Sequence, residues 1–343
     1  MPLIEDYLNQ LKRESNRGRC LHYSDGVQCN EIIDAHSIQK RGQLAHIAEA
    51  GHVYRLDASM AALRKSGGLP TFKKFGINKA STFAGFCKQH DNALFEPIDN
   101  GPLLLDHRQV ALYAYRCLCR EFFVKENAVR ALDTIVQHDE LDSGMRAFFQ
   151  AAQIGHTSGF NGLLHHKRMY DEALYLRQPR EFHFVRLDSE DECFMQVSGL
   201  LYPDYDFHGK QLQDLSNVGN PQDLITFFTA PTELGWAFCF AWHESSNTIC
   251  HEFVKSLFAH AKETCAFGDV LLRFVISCCE NHAFKVSWWD SLSVQAHEHL
   301  LGRAAIMMHP TIPVPPTYLT VGCEGITKID FKYIDTTVPL SDA

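Results

Sequence analysis

The sequence predicts an α+β fold built from three successive regions. All cysteines of the first 100 residues fall into a pattern suited to metal binding, apolar residues recur at helical spacing from about 106 to 177, and alternating β-rich runs begin at 182. We therefore expect three regions, which cover residues 1–100, 101–178 and 179–343. A chain of 343 residues with 45% hydrophobic and 21% charged residues is typical of a folded protein and excludes a largely disordered one.

The first region should begin with a short amphipathic helix, because Ile4, Tyr7, Leu8 and Leu11 are spaced for one helical face. Its later elements are predicted from local composition and from the position of turn residues. They are a strand edge at 31–38, the start of a helix at 44–47, an insertion at 51–82 with a turn at 66–70, and a helix after Phe86 that stops near Pro97.

The middle region should be helical, because few helix-breaking residues interrupt its apolar repeat and Asp106 is a suitable N-cap. One long helix or two stacked helices are expected at 106–137, and two more at 145–154 and 163–177. The last region changes to a β-rich pattern. Its predicted strands are 182–187, 194–201, 224–229 and 236–242, followed by helices at 249–262 and 287–308 and by further strands within 318–333.

Charge is distributed unevenly along the chain, whose formal net charge is -9. Residues 1–90 hold 13 Lys and Arg against 8 Asp and Glu, whereas the remainder holds 19 against 33. A basic surface suits ligands that carry phosphate. We therefore expect DNA or RNA to bind through residues 1–90, and a protein partner or ligand to bind through the acidic C-terminal region.

Four residues of the first region have the chemistry of a structural zinc site: Cys20, Cys29, Cys87 and His90. Tetrahedral zinc takes four such ligands, commonly as two close pairs. Cys87 and His90 have the usual spacing of a zinc knuckle, whereas Cys20 and Cys29 are further apart. The turn dipeptide Asp25-Gly26 between them would fold the two thiols together. The alternative is that these side chains only pack.

Between the two pairs, Asp34-Ala35-His36-Ser37-Ile38 follows the first pair on a strand-like segment, and Leu94-Phe95-Glu96 ends the helix that follows the second. Over residues 20–96 the chain therefore resembles the HNH, or His-Me finger, nucleases, in which a ββα-metal site is often built over a treble-clef zinc core. Two features depart from the family pattern. No asparagine occurs in the stretch 80–85, and about 50 residues separate His36 from Cys87.

The resemblance implies roles for individual residues. His36 would be the general base that takes a proton from water, a task suited to a neutral imidazole. A divalent cation such as Mg²⁺ would neutralise the scissile phosphate. The resemblance assigns Asp91, Asn92 and Asp34 as candidate ligands of that cation, and Lys40 and Lys88 as contacts to flanking phosphates.

Two functional hypotheses follow from these residues. The first is a metal-dependent nuclease acting on DNA or RNA, whose attachment to a large acidic region suits a regulated enzyme of a bacterial defence or toxin system. The second is a non-catalytic zinc module that docks on nucleic acid or on a protein partner, the absent asparagine being a sign of lost catalysis. A third hypothesis is a structural or interaction protein in which the Cys and His side chains only pack.

A cytoplasmic protein is expected. The N-terminus carries Glu5 and Asp6 where a secretory signal needs positive charge, and the longest apolar stretch, Trp236–Trp242, is far shorter than the roughly 20 residues of a membrane span. The 12 cysteines are scattered over a long chain, which favours a reducing compartment over a disulfide framework.

Overall fold

A computed structural model of the chain describes residues 2–24, 26–139, 141–217, 220–264, 266–306 and 313–340. It is 47% helical and 19% strand, which confirms the predicted α+β class. Within these ranges, no helix is both long enough and apolar enough to cross a bilayer.

The helices are α1 (Pro2–Arg17), α2 (Ala45–Ile47), α3 (Met60–Lys65), α4 (Lys88–Asp99), α5 (His107–Ile135), α6 (Ser143–Tyr175), α7 (Asn247–Thr264), α8 (Phe267–Cys278), α9 (Val286–Asp290) and α10 (Val294–Ala305). The strands are β1 (Ile32–His36), β2 (His52–Asp57), β3 (Thr71–Gly76), β4 (Thr82–Cys87), β5 (Phe182–Ser189), β6 (Met195–Leu201), β7 (Ile225–Pro231), β8 (Trp236–His243), β9 (His282–Phe284) and β10 (Tyr333–Thr336). A single π-helical turn, Lys40–Leu44, precedes α2.

The strands form two antiparallel sheets. The small one pairs β1 with β4, and the large one has eight strands in the order β10-β5-β8-β7-β6-β9-β2-β3. Strands β2 and β3, which lie between His36 and Cys87 in the sequence, therefore extend a sheet whose other strands come from the last region. The domain boundaries at 100 and 178 stay a prediction.

Strand β8 shows how the large sheet separates two cores. Its aromatic residues Trp236, Phe238, Phe240 and Trp242 face one side, where they pack with α7 and α8. The intervening small residues Ala237, Cys239 and Ala241 face the other side, where α5 lies. Successive side chains of a strand point to opposite faces of the sheet. The large aromatic residues of β8 therefore fill one face, and the small residues on the other face let the buried helix α5 pack closely against the sheet.

Most predicted elements are confirmed, including α1, the helix that begins after Asp106 and the strands β5 to β8. The prediction of two helices at 145–154 and 163–177 was wrong, because α6 is one continuous helix. Three glycines, at 155, 159 and 162, lie between the two predicted helices. A glycine costs a helix about 1 kcal/mol relative to alanine, and packing can offset that cost. At Gly162 the helix packs closely against Tyr202, since a Cβ there would lie only 3.0 Å from Tyr202 Oη.

The strands predicted within 318–333 were also wrong, since only Tyr333–Thr336 is a strand and the segment before it is formed by turns. The fully buried Arg273 explains how that segment is held without a strand partner. Its guanidinium donates to the carbonyl oxygens of Gly322 at 2.6 Å, Leu319 at 2.8 Å and Thr320 at 3.0 Å.

Two further elements differ from the prediction. For the segment 51–82 only an insertion with a turn at 66–70 was predicted, whereas the structure shows that it contains the β2–β3 hairpin. The helix expected at 287–308 is divided into α9 and α10, with Ser293 as N-cap of the second, and Met307 and Met308 lie outside the described residues.

Candidate functional site

The four predicted zinc ligands come together at one end of the small sheet. Cys87 is the last residue of β4 and the N-cap of α4, and His90 lies in the first turn of that helix. The chain before Cys29 runs beside β4, because the backbone N–H of Leu21 donates to Gly85 O at 2.8 Å. Cys20 is thereby placed next to Cys87. Asp25 of the predicted turn lies outside the described residues.

The geometry of this Cys3His cluster fits one tetrahedral ion. All four ligand atoms lie within 4.8 Å of one another, and His90 Nδ1 lies 3.3 Å from Cys20 Sγ and 3.5 Å from Cys29 Sγ. Zinc–sulfur and zinc–nitrogen bonds of about 2.3 and 2.0 Å at the tetrahedral angle would place sulfur and nitrogen about 3.5 Å apart. The four groups are therefore close enough to hold one metal ion, and three thiols with one imidazole are a donor set typical of zinc.

Backbone amides around the cluster favour the thiolate form that a metal requires. Burial raises the pKa of Cys87, but hydrogen bonds from the backbone N–H groups of Asn30 and His90 outweigh it, and the pKa lies below its ordinary value. Burial raises the pKa of Cys20 to about 12, although the amides of Cys87 and His22 oppose that rise. A bound cation would displace these thiol protons.

A buried polar network supports the loop between Cys20 and Cys29. Tyr115 Oη on α5 lies 2.8 Å from the Leu21 carbonyl oxygen and 2.7 Å from Asp171 Oδ1 on α6. The ammonium group of Lys167 completes the network, at 2.5 Å and 2.7 Å from the two carboxylate oxygens of Asp171. Helices α5 and α6 thus hold the segment between Cys20 and Cys29, which we call the metal-binding loop, in place. Residues behind the ligands of a metal site commonly have this role.

We expect Tyr115→Phe to weaken metal binding about tenfold, because it leaves the buried Leu21 carbonyl without its partner. The measurement is the rate and extent of zinc loss to a chelator. Tyr113→Phe is the matched control, since Tyr113 is equally buried on the same helix but contacts Ile98 O, at 3.3 Å. Equal zinc loss from both variants would show that the network contributes only general stability.

His22 is a further residue of this site that the sequence did not reveal. Its ring stacks on that of His90, with centroids 4.1 Å apart and planes inclined by 9°. Burial, followed by the charges of His90 and Lys167, lowers the pKa of His22 to about 4. His22 therefore covers the imidazole of the metal ligand as a neutral ring.

His36 ends β1, just after a register shift between Ile33 and Ala35 that leaves Asp34 in a bulge. Its Nε2 lies 3.0 Å from the carbonyl oxygen of Ile77. A carbonyl only accepts, so Nε2 carries the proton and Nδ1 keeps its lone pair. Burial lowers the pKa of this half-buried imidazole, with the charges of Lys40 and Arg116 acting in the same direction. The ring is neutral at physiological pH.

Arg116 is the second residue that sequence analysis missed. It is 2% exposed, pairs with both oxygens of Asp99 at 2.7 Å and 2.9 Å, and lies 4.0 Å from the Phe95 ring centroid. Its charge acts on His36 and on Asp91. The detectable signal was a single arginine within the apolar run 110–119 of α5.

The residues expected around a catalytic cation do not form a comparable cluster. Asp34 and Asn92 are exposed, and Asp91 is half-buried. Burial raises the pKa of the Asp91 carboxyl above its ordinary value, with Arg116 opposing and Asp99 adding to that rise. In the described part of the chain, neither carboxylate belongs to a group of three converging His, Cys, Asp or Glu side chains. Lys40 and Lys88 are both exposed. The structure therefore contains no pre-assembled cation cage beside His36 among these residues.

A second group of three side chains, His208, His260 and Glu263, converges in the last region. His260 Nε2 lies 3.0 Å from Nη1 of Arg273, which can only donate. A neutral His260 therefore carries its proton on Nδ1 and has no lone pair left for a metal. We assign no metal to this group.

Comparison with known proteins identifies no relative. No family model, no curated protein and no solved structure matches the chain.

Proposed function

We propose that the Cys3His cluster holds a structural zinc ion and that the region it organises is a nuclease, with His36 as general base. The observation that carries the proposal is the orientation of His36. Its Nε2 is fixed by the carbonyl of Ile77, which leaves Nδ1 of a neutral ring available to accept a proton. A general base requires this state near neutral pH.

The surroundings of His36 suit a phosphodiester. Residues 37–81, which we call the basic segment, contain eight Lys and Arg against two acidic residues. Lys40 and Arg41 are exposed and lie on the π-helical turn that follows His36, and Lys79 is exposed and follows Ile77 by two residues. These three cations would hold the backbone phosphates of a bound strand.

In the proposed reaction, His36 removes a proton from a water molecule whose oxygen then bonds to phosphorus as the ester P–O bond breaks. The departing oxygen takes its proton from solvent. A divalent cation would supply charge neutralisation at the phosphate. Mg²⁺ commonly uses one or two carboxylates and completes its shell with substrate oxygens and water. Asp34 and Asp91 are the protein ligands that we assign to it, with Asn92 nearby on α4.

The test is cleavage of plasmid DNA and of RNA by the zinc-loaded protein in the presence of Mg²⁺, Mn²⁺ or Ni²⁺. We expect His36→Ala to slow cleavage at least about 100-fold, since general bases typically contribute that much or more. His46→Ala is the matched control, because His46 is an exposed histidine of the basic segment that follows His36. The proposal fails if wild type and His36→Ala are equally active or equally inert.

A second candidate function is a non-catalytic module that docks on nucleic acid. It is favoured because neither Asp34 nor Asp91 belongs to a converging group of three His, Cys, Asp or Glu side chains among the described residues. It predicts binding without cleavage. If Lys40, Arg41 and Lys79 each neutralise one phosphate of duplex DNA, the logarithm of the binding constant should fall with the logarithm of salt concentration at a slope of about -3.

A further inference from the structure

A cavity of about 430 Å³ lies where the metal-binding loop meets α4, α5 and α6. Leu112 and Ala173 form part of an apolar floor, Tyr23 forms one wall, and Arg108 and Arg177 are its charged residues. Its volume falls within the range of small-molecule sites, which is about 300–1,000 Å³. It is separate from His36 and from the proposed cation site.

Among the described residues, neither arginine of this cavity has a counter-charge. None of the described residues that line the cavity is acidic, and neither guanidinium pairs with a described carboxylate. Both arginines are exposed, so their guanidinium groups can reach a ligand. In a chain with a net charge of -9, a cavity lined by two arginines is suited to an anion.

Both arginines also occupy positions where the local backbone favours another residue. Arg108 lies in the first turn of α5, where the helix dipole favours an acidic side chain. Arg177 follows the C-terminal end of α6 with φ of 58°, a left-handed conformation that favours glycine. Residues that occupy positions against the local backbone preference commonly lie at functional sites.

We propose that this cavity binds a small organic phosphate that carries a flat ring, of about the size of a nucleoside monophosphate. Arg108 and Arg177 would hold the phosphate, helped by the positive end of α5. Tyr23 and the apolar floor would receive the ring. Because Tyr23 belongs to the loop between Cys20 and Cys29, the site should depend on the bound metal. The inference does not require the protein to be a nuclease.

The test is calorimetric titration of the zinc-loaded His36→Ala protein, in which hydrolysis cannot confuse binding. The probes are AMP, GMP, CMP and UMP, with adenosine and inorganic phosphate as partial ligands. We expect at least one nucleotide to bind with a Kd on the order of 10 μM. Inorganic phosphate should bind more weakly and adenosine more weakly still. Phosphate binding as tight as that of all nucleotides would show a simple anion site and overturn the role of the ring.

Two substitutions separate ligand binding from folding. Arg177→Gly should weaken nucleotide binding roughly 10- to 100-fold while the melting temperature stays equal or rises by about 2 °C, because glycine relieves the left-handed backbone. Arg108→Ala should weaken binding to a similar extent. Arg180→Ala, which removes a nearby exposed charge outside the cavity, is the matched control. Lack of binding at about 1 mM nucleotide, or unchanged affinity in Arg108→Ala and Arg177→Gly, would overturn the proposal.

Discussion

Replacing Cys87 by serine is expected to release the metal and to lower the free energy of unfolding by on the order of 5 kcal/mol. Cys87 is fully buried at the junction of β4 and α4, and it packs in the same core as Leu21, Phe86 and Phe95. Loss of the metal would detach the loop that carries Cys20 and Cys29 from this core. Elemental analysis should show less than one zinc per chain, and limited proteolysis should cut first between α1 and β1.

Cys239→Ser is the matched control for Cys87→Ser. Cys239 is also a fully buried cysteine, it lies on β8, and it is outside the Cys3His cluster. Its serine variant should keep zinc at wild-type stoichiometry. Equal zinc content and equal stability in the two variants would mean that the four side chains merely pack.

Acid should destabilise the protein strongly through His166 and His282. Their side chains are 2% and 0% exposed, and burial lowers the pKa of each to about 4. In each ring one nitrogen donates to a carbonyl, of Gln222 at 2.7 Å and of Cys279 at 2.5 Å. The other nitrogen is buried without a hydrogen-bond partner among the described residues. Protonation would place an N–H there with no acceptor.

The sign of the effect follows from the lowered pKa. Above about pH 6.5 both imidazoles are neutral in the folded and the unfolded chain, and stability does not depend on them. Between about pH 6.5 and 4 the unfolded chain binds more protons, so stability falls as pH falls. The two residues together should remove about 5 kcal/mol between pH 7 and pH 4.5.

Urea unfolding at several pH values checks this prediction. His166→Gln keeps a donor for Gln222 O, because the glutamine amide nitrogen takes the place of Nε2, but it cannot titrate. Its stability should therefore vary less with pH than that of the wild type. His52→Gln removes an exposed histidine and should leave the pH dependence unchanged. Comparing variants at the same pH cancels the acid-driven loss of zinc, which all of them share. Parallel stability curves for His166→Gln and wild type would contradict the assignment.

The metal cluster was predictable because its ligands are chemically specific and their spacing is local. Cys87 and His90 lie one helical turn apart, and the first thiols needed only a loop to reach them. The strands β5 to β8 were predictable for a similar reason, since alternation within each strand records its two faces.

The remaining features depend on contacts between distant residues. Tyr54 of β2 pairs with Phe284 of β9, and nothing within residues 51–82 indicates that partner. Arg116 is interpretable only once Asp99 and Phe95 are known to surround it. The roles of the histidines show the same dependence on distant contacts. Of 19 histidines, spacing explained His36 and His90, whereas the roles of His22, His166 and His282 arise from burial in the folded chain.

The position of the β2–β3 hairpin in the large sheet has a consequence for biosynthesis. Tyr54 leaves the ribosome 230 residues before its partner Phe284, a delay of about 10–50 s at roughly 5–20 residues per second. Until then the hairpin has no neighbouring strand. Ile77, whose carbonyl orients His36, directly follows β3. The orientation of His36 therefore depends on the completed sheet, so a nascent or truncated chain would not yet possess the proposed activity.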